Sequence, residues 1–273
     1  MIVRGLESAA KGKIALMEAQ DNIANNLANV NTTGFKRGML RFKDIMEAAV
    51  YNQQGSILRN DAGRYIGDLS MGSMSLTYTH DFSQGALEKT GNKFDIAIEG
   101  DGFFKIRDLD GKESYTRNGS FAVNSDDYLV TKQGEYVLDI HNRRIRMIPE
   151  DWDPEIMRDK MEIIIGESGN IEMNSYTQKI PMQTIGIFDF TDKEDLFEIG
   201  DGRFIPRDKE NNPELRSKKF SVQQGMLECS NSNVIREMLN TISTTRNYES
   251  LSKTVSTNSD MLRTAVSVGR LRS

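Results

Sequence analysis

The sequence predicts an α+β protein in which long N- and C-terminal helices pair as a coiled-coil-like core domain, with a central, mainly antiparallel β domain between them. Residues 8–30 and 234–268 both have the apolar spacing of amphipathic helices. The stretch from Ser73 to Phe220 alternates short apolar runs with turn dipeptides that contain Gly, which is typical of hairpins. Because no other segment clearly has helical period, the long helices lack partners within one small domain, and this indicates a subunit of a larger assembly.

The N-terminal helix carries apolar residues on more than one side. One stripe runs from Ala10 through Ile14 and Met17 to Ala28, and a second consists of Leu16, Ile23, Leu27 and Val30. The segment Asn31-Thr32-Thr33-Gly34 predicts the end of the helix, because Gly34 can take the left-handed conformation that closes one. An ordinary core helix would show the same periodicity, so the pattern alone leaves both interpretations open.

Asparagines are concentrated on this helix although they lower its intrinsic propensity; they are Asn22, Asn25, Asn26, Asn29 and Asn31. Asn22, Asn25 and Asn29 share one face, and Asn26 lies beside them. Amide side chains both donate and accept hydrogen bonds, so on a buried interface they can fix the register between packed subunits. A solvated polar face is the alternative that periodicity alone favours.

Residues 35–75 are predicted to form a linker or arm. Within them, the spacing of Phe42, Ile45, Met46 and Ala49 suggests a short amphipathic helix, followed by an extended stretch through Gly72. The predicted domain organisation is a discontinuous helical core of residues 1–34 plus 230–273, the arm at 35–75, and a β-rich outer domain at 76–229.

Hairpins are predicted wherever a turn dipeptide separates two short strands. These dipeptides are Asp101-Gly102, Asp110-Gly111, Asn118-Gly119, Gln133-Gly134 and Asp201-Gly202. Two segments also occur twice: Ser83–Glu88 resembles Gln223–Glu228, and Ile98–Phe104 resembles Glu198–Phe204. The acidic segment from Pro149 to Lys160 interrupts the β pattern and is predicted to be a surface loop.

The C-terminal helix is predicted to begin after Asn231-Ser232-Asn233, any one of which could cap it. Its near-helical spacing is kept to the end by Val234, Met238, Ile242, Thr245, Leu251, Val255, Leu262 and Ala265. Such a helix would span about 50 Å before Gly269, the first breaker. It is too long and too polar for a membrane span and suits a coiled-coil-like partner.

Composition excludes several classes of function. The net charge of −5, with both signs interspersed, does not suggest nucleic-acid binding, and no apolar stretch approaches the ~20 residues of a membrane helix. Cys229 is the only cysteine, which excludes an internal disulfide and a Cys-based zinc site. The N-terminus lacks the apolar core of a secretory signal, so composition alone would place the protein in the cytoplasm.

No pattern of catalytic or metal-binding residues is present, so no enzyme activity, cofactor or metal is expected. His80 and His141 lie in no recognisable nucleophile or metal motif. The segment Asp108–Gly111 does not fit a calcium loop, because the first and twelfth loop positions would be Ile106 and Arg117. Gly100, Asp101 and Gly102 are interpreted as a structural turn.

Four segments together identify a family. The run A-N-N-L-A-N-V-N-T-T-G-F-K-R (Ala24–Arg37) strongly resembles the N-terminal signature of bacterial flagellar axial proteins, the rod, hook and hook-associated subunits. The segments T-G-N-K-F-D-I-A-I-E-G-D-G-F-F (Thr90–Phe104) and Y-T-R-N-G-S-F (Tyr115–Phe121) resemble the central motifs of the rod and hook group. The segment Q-G-M-L-E-C-S-N-S-N-V (Gln224–Val234) leads into a helix that contains R-N-Y-E and D-M-L, also as in that group.

The resemblance implies a non-enzymatic subunit of the flagellar basal-body rod, the drive shaft that carries motor torque to the hook. Chain length and the β domain leave the proximal-rod (FlgF-like) and distal-rod (FlgG-like) types. The S-Q-G-A-L-E-K-T-G-N segment and the C-terminal tail favour the proximal type, and the long stretch from Phe42 to Ser83 is compatible with the distal type. Hook-type subunits and an exported enzyme or wall-binding module with flagellar-type ends are the alternatives.

The implied partners are the chain itself and other rod subunits, with hook and ring proteins and the flagellar export apparatus as further candidates. The implied location is the periplasmic rod, reached by type III export without a cleavable signal peptide. The candidate assembly residues are Asn22, Asn25, Asn26, Leu27, Asn29, Val30, Thr33, Gly34, Phe35, Arg246, Tyr248, Leu251, Val255 and Leu262.

Overall fold

The computed structural model describes residues 2–44, 47–52, 64–70, 74–148, 162–174 and 179–270. These residues form two long helices and an otherwise mainly antiparallel β structure, which confirms the predicted α+β class. Helix α1 is Ile2–Ala28, and helix α2 is Val234–Arg270, which passes through Gly269 without a break. Helix α1 ends before the predicted stop segment, and Gly34 takes the left-handed conformation, with φ of 69°.

The strands of the first half of the chain are β1 Gly38–Asp44, β2 Glu47–Asn52, β3 Arg64–Ser70, β4 Met74–His80, β5 Leu87–Lys89, β6 Ile96–Gly100, β7 Phe103–Arg107, β8 Glu113–Thr116, β9 Phe121–Val123, β10 Leu129–Thr131 and β11 Tyr136–Val137. Those of the second half are β12 Glu162–Ile165, β13 Asn170–Asn174, β14 Lys179–Thr184, β15 Ile187–Asp189, β16 Leu196–Gly200, β17 Arg203–Pro206, β18 Leu215–Arg216, β19 Phe220–Gln224 and β20 Met226–Glu228.

The chain divides into two compact units. The first, called the helical unit here, consists of Met1–Asn25, Gly38–Tyr78 and Ile235–Ser273, and the second, the β unit, consists of Asn26–Arg37 and Thr79–Val234. Residues of the predicted arm therefore group with the helices from Gly38 onward. The end of the N-terminal signature groups with the β strands.

The β unit is built on one large antiparallel sheet, in which the strand order is β16-β17-β8-β7-β11-β10-β9, with β15 and β18 joined to it through β7. Strand β7 lies near the middle and has two buried faces, since neighbouring side chains of a strand point to opposite sides. Phe104 and Ile106 pack into an aliphatic core with residues such as Ile98. Phe103 packs into a second core made largely of aromatic rings, among them Phe204.

The helical unit contains two small strand pairs, β1 with β4 and β2 with β3. The short helix predicted around Phe42 and Ala49 is therefore wrong, because these residues lie in β1 and β2, while Ile45 and Met46 lie outside the described residues. Apolar residues spaced three and four apart over so short a run do not separate a helix from two strands, and the pairing of β1 with β4 and of β2 with β3 decided the outcome.

Three of the five predicted hairpins are confirmed. Asp110-Gly111 joins β7 to β8, Gln133-Gly134 joins β10 to β11, and Asp201-Gly202 joins β16 to β17, and the strands of each pair are hydrogen-bonded. The similar segments at Ser83–Glu88 and Gln223–Glu228 meet in space, because their ends form the pair of β5 with β20. The Pro149–Lys160 segment lies outside the described residues.

Two predicted hairpins are wrong, at Asp101-Gly102 and Asn118-Gly119. Strand β6 pairs with β19 instead of β7, and β9 pairs with β10 instead of β8. The Gly100-Asp101-Gly102 segment is a tight bend between strands of different sheets, with φ of 100° at Gly100 and 123° at Gly102. The amide of Asp101 donates to the carbonyl of Lys219 at 3.0 Å, so a distant strand holds the bend in place.

Candidate assembly site

The asparagines of the N-terminal signature have different environments. Asn25 is exposed, and Asn22 is half-buried with its Nδ2 donating to the carbonyl of Gly38 at 3.0 Å. Asn29 is partly exposed, and its Oδ1 accepts a hydrogen bond from the Thr32 hydroxyl at 3.0 Å. Asn26 is only 1% exposed and lies inside its own chain. Of the stripe, Asn25 is exposed, Asn22 and Asn29 are intermediate, and Asn26 is buried.

The residues that follow helix α1 are held by the segment that precedes helix α2. The amide of Gly34 donates to the carbonyl of Glu228 at 2.7 Å, and the carbonyl of Phe35 accepts from the amide of Asn231. Phe35 is buried and Thr33 is half-buried. The two ends of the signature segments are therefore joined by backbone hydrogen bonds within the β unit.

Three charged side chains meet in the interior beside this connection, and we call Lys36, Arg117 and Glu228 the buried ion triad. The Lys36 Nζ donates to Glu228 Oε1 at 2.6 Å, and the Arg117 Nη1 donates to Glu228 Oε2 at 3.2 Å. Each of the three residues is at most 3% exposed. Two basic side chains therefore share one carboxylate in the interior of the β unit.

Backbone groups form further hydrogen bonds with the triad, although Arg117 Nε has no partner among the described residues. Arg117 Nη2 donates to the carbonyl of Gly100 at 2.7 Å, and Lys36 Nζ donates to the carbonyl of Ser83 at 2.8 Å. The amide of Gly85 donates to Glu228 Oε1 at 2.9 Å. Burial lowers the pKa of the Lys36 ammonium, and the Glu228 carboxylate opposes this shift. The bend at Gly100-Asp101-Gly102 thus serves as an acceptor for a buried guanidinium.

Asn231 links the same segments a second time. Its Oδ1 accepts from the amide of Arg37 at 2.7 Å, and its Nδ2 donates to the carbonyls of Asp81 at 2.7 Å and Ser83 at 3.1 Å. The amide of Asp81 in turn donates to the carbonyl of Arg37 at 2.8 Å. We call residues 34–37, 81–85 and 228–231, with Arg117, the junction.

The sequence analysis did not connect four polar residues of the junction, Lys36, Arg117, Glu228 and Asn231, and it assigned Asn231 to the cap of helix α2, whereas its side chain binds residues 37, 81 and 83. All four lie in the segments that carried the family resemblance, and the carbonyl of Gly100 comes from the remaining one. The signal was therefore present in the motifs. The pairing of these residues was not, since up to 194 residues separate the partners.

The candidate residues of helix α2 lie partly against helix α1. A Cβ at Gly12 would lie 3.1 Å from Leu251 Cδ2, and Lys13 Nζ lies 4.8 Å from the ring centre of Tyr248. Val255 and Leu262 are half-buried, and Arg246 is exposed. Leu27 and Val30, near the end of helix α1, are half-buried as well.

Both helices leave large apolar side chains in water. On helix α1 these are Ile14 and Met17, and on helix α2 they are Ile235, Met238, Leu239, Ile242 and Met261, with exposed fractions of 50–71%. The four residues from Ile235 to Ile242 are spaced three and four apart and form one stripe. We call these four residues the α2 stripe.

The described residues give no support for a metal site, a membrane-spanning helix or a reactive thiol. No group of three or more His, Cys, Asp or Glu side chains is placed there to hold a metal ion. Within the described ranges, neither helix has a stretch apolar and long enough to cross a membrane. Burial raises the pKa of the Cys229 thiol, and so does its contact with the Glu88 carboxylate, which disfavours a reactive thiolate.

Comparisons with known proteins match most of the chain. Residues 6–36 match the model of the "Flagella basal body rod protein" family, residues 97–173 that of the "Flagellar hook protein FlgE/F/G D1 domain", and residues 223–268 that of the "Flagellar basal body rod FlgEFG protein C-terminal" family. The chain is 33% identical to the flagellar basal-body rod protein FlgG of Borreliella burgdorferi, over 98% of this chain and all of that protein. It is 29% identical to FlgG of Bacillus subtilis over the same shares, and 30% identical to the rod protein FlgF of Caulobacter vibrioides over 93% of both.

Proposed function

The chain belongs to the family of flagellar basal-body rod proteins of the FlgF and FlgG type, and we propose that it polymerises through its helices into a helical tube that transmits motor torque to the hook. The family is one of structural subunits of the basal body, not of enzymes. Assembly with other rod subunits follows from membership. The shape of the polymer, the contact residues and the position along the shaft are parts of the proposal.

The exposed apolar residues of the helices carry this proposal. Leu239 and Ile235 are 62% and 71% exposed, and both belong to the α2 stripe. Burying a large apolar side chain contributes about 1.5–3 kcal/mol, so a stripe of four contributes substantially when a neighbouring subunit covers it. Contacts between different surfaces of successive copies generate an open helical polymer.

Within the helical unit, we propose that the two helices pair in a coiled-coil-like manner. The approach of Gly12 to Leu251 and the positions of Lys13 over Tyr248 and 3.4 Å from the Ser252 hydroxyl support this pairing. Asn25 and Asn29, which are accessible, then serve as register-setting contacts to neighbouring copies. Val255 and Leu262 extend the apolar seam toward the end of helix α2.

Replacing Leu239 with Asp tests the assembly role. A charge on the α2 stripe would have to be buried without a partner in the polymer, so we expect swimming and hook formation to be lost. The matched control is Leu109→Asp, because Leu109 is 74% exposed at the tip of the β7–β8 hairpin and belongs to the β unit, not to helix α2. Motility plates measure swimming, electron microscopy of isolated basal bodies measures hook formation, and circular dichroism of the purified chain checks that it is folded.

Both variants should fold as the unaltered chain does, since both side chains face water in the monomer. Normal hooks in the Leu239→Asp strain would contradict the proposal. A strain without the gene should build no complete rod, and a tagged copy should restore it and copurify with basal bodies. Absence of the tagged chain from them would contradict the rod assignment itself.

For the position along the shaft, we propose the distal, FlgG-like type. Relatives named FlgG cover 98% of this chain at 33% and 29% identity, and the segment from Phe42 to Ser83, compatible with that type, contains strands β2, β3 and β4. The proximal, FlgF-like type is the second candidate. It is favoured by the S-Q-G-A-L-E-K-T-G-N segment, the C-terminal tail and a relative named FlgF at 30% identity.

Copurification of a tagged chain distinguishes the two positions. A distal subunit should remain with hook and ring proteins when basal bodies are broken, and chemical cross-linking should join it to them. A proximal subunit should cross-link to rod proteins at the inner-membrane end. In either position, we propose delivery through the flagellar export apparatus to a periplasmic location.

A further inference from the structure

The helical unit contains a pocket of about 360 Å³ beside the asparagine stripe. Its lining comes from helix α1 and from strands β1 and β4, and consists of Glu18, Asp21, Asn22, Asn25, Leu40 and Tyr78. Two carboxylates, two amides and a phenol are polar groups that a charged or hydrogen-bonding partner can use. Leu40 supplies an apolar side.

Backbone geometry defines this pocket. Asn22 Nδ2 holds β1 against the helix through its 3.0 Å hydrogen bond to the Gly38 carbonyl. A Cβ at Gly38 would lie 2.5 Å from Asn22 Oδ1 and 2.8 Å from Tyr78 Cζ, so any larger residue would displace these two side chains, which line the pocket. The pocket therefore depends on a glycine at the start of β1.

The polar groups of the pocket call for a cationic donor. The carboxylates of Glu18 and Asp21 are exposed, and in the described part of the chain neither forms an ion pair. Asn22 Oδ1 beside them is shielded from solvent, so the two exposed carboxylates are the groups that an incoming cation reaches. Arginine has five N–H donors and no acceptor, and its planar guanidinium matches a carboxylate in a two-point contact.

Helix α2 offers such a donor on its assembly face. Arg246 follows Ile242 by four residues, so it continues the line from Ile235 through Leu239 along one side of the helix. The Arg246 side chain is exposed and has no ion pair in the described ranges. Lys253 lies farther along the same side, but an ammonium is a point charge without the forked geometry of a guanidinium.

We propose that Arg246 of one copy enters the pocket of a neighbouring copy and pairs with Glu18 and Asp21 there. This inference rests on the proposed function, because it names a contact between rod subunits. The pocket and the arginine are different surfaces, so the contact is head-to-tail and does not close on itself. A slip of one helical turn would remove the guanidinium from the carboxylates and leave charges unpaired, so the contact fixes the register.

Charge exchange tests the contact in the intact basal body. Arg246→Glu and Asp21→Arg should each lower the number of complete hook–basal bodies at least tenfold, because each places like charges together. The double variant with both changes should restore the number to within about twofold of the unaltered strain. The comparison pair is Lys253→Glu with Asp21→Arg, which should not be restored.

Normal assembly of both single variants, or restoration by the Lys253 pair instead, would overturn the inference. Circular dichroism of each purified chain should match that of the unaltered chain, since all three side chains are exposed in the monomer. A tagged chain present in basal bodies shows that the rod assignment holds even if the charge exchange fails. Its absence from them would instead remove the proposed function.

Disulfide cross-linking provides a second readout that does not depend on motility. In a Cys229→Ser background, the pair Asp21→Cys and Arg246→Cys should give a ladder of dimers and larger species from oxidised basal bodies. Either cysteine alone should give no ladder beyond dimers. A monomer band only, from basal bodies that contain the chain, would contradict the inference.

Discussion

Replacing Glu228 with Gln is expected to lower the free energy of unfolding of the β unit by about 3–5 kcal/mol, because it leaves two buried cations without their shared carboxylate. Glu228 is 1% exposed, and both of its carboxylate oxygens face a cation. A glutamine of the same shape keeps the packing but removes the charge. The cost therefore reports electrostatics and not a cavity.

Removing the Lys36 ammonium, the partner of Glu228 Oε1, should lower the free energy of unfolding less than removing the Glu228 charge does. In Lys36→Met, Glu228 keeps Arg117, and its Oε1 keeps the amide of Gly85 at 2.9 Å. The Ser83 carbonyl keeps Asn231 Nδ2 at 3.1 Å. Because every acceptor of the Lys36 ammonium has a second donor, we expect a loss of at most about 1.5 kcal/mol, which is the net contribution of an ordinary hydrogen bond.

Urea unfolding, followed by near-ultraviolet circular dichroism of the buried aromatic rings, measures both changes. The control is Glu99→Gln on strand β6, an exposed carboxylate that, among the described residues, accepts from Gln223 Nε2 at 3.1 Å. It should change the free energy of unfolding by less than about 0.5 kcal/mol. Equal losses for Glu228→Gln and Lys36→Met would mean that the two cations do not share one carboxylate as described.

The long helices could be predicted from the sequence because their periodicity extends over many turns. The hairpin at Asp110-Gly111 could also be predicted, since its turn chemistry is local. The strands at Phe42 and Ala49 could not, because each lies in a short apolar segment whose spacing fits a helix and a strand alike. Phe42 lies in β1, which pairs with β4, and Ala49 lies in β2, which pairs with the next strand, β3. The prediction of a hairpin at Asp101-Gly102 was wrong because β6 pairs with β19, more than 100 residues away in the sequence, and this pairing is not visible in the local turn residues.

The candidate site was likewise predictable only in part, since the sequence indicated some of its residues but not their distant contacts. Periodicity and the family motifs identified Gly34, Arg246 and the asparagine stripe as candidates, and these predictions stay open to test. The motifs did not indicate that Lys36 meets Glu228, because one sequence contains no information about which distant charges are neighbours. From sequence alone, a charged residue within a motif is expected to be solvated. The fold shows instead that Lys36 and Glu228 are each 1% exposed.

The family motifs meet in space at the junction, which joins the segment after helix α1 to the segment before helix α2. The segment that leaves helix α1 and the segment that enters helix α2 are tied to each other by the Gly34 amide and the Glu228 carbonyl. Asn231 joins both to residues 81–83. Buried charged hydrogen bonds tolerate few alternative arrangements, so a junction of this kind specifies one conformation of these segments. We infer that the family signature is required for this folded connection as well as for contacts between subunits.

Gly34→Ala is the second change with a large expected effect, and it tests the junction through the backbone. The left-handed conformation at φ of 69° costs an alanine about 1–2 kcal/mol, and overpacking adds about 1–3 kcal/mol. The new Cβ would lie 2.6 Å from the carbonyl carbon of Arg117, a backbone atom that cannot rotate away. We therefore expect the β unit to lose about 2–5 kcal/mol and the rod to fail to assemble.

Gly111→Ala is the matched control for Gly34→Ala, because Gly111 has φ of 83° but nothing within 4 Å of its Cβ position. It should show the conformational cost alone, about 1–2 kcal/mol, and should leave assembly intact. The difference between the two variants in urea unfolding then isolates the close approach of Gly34 to Arg117. If both variants lost the same stability and both assembled, the segment after helix α1 would not be packed against the triad, and the junction would not be the rigid connection that its hydrogen bonds require.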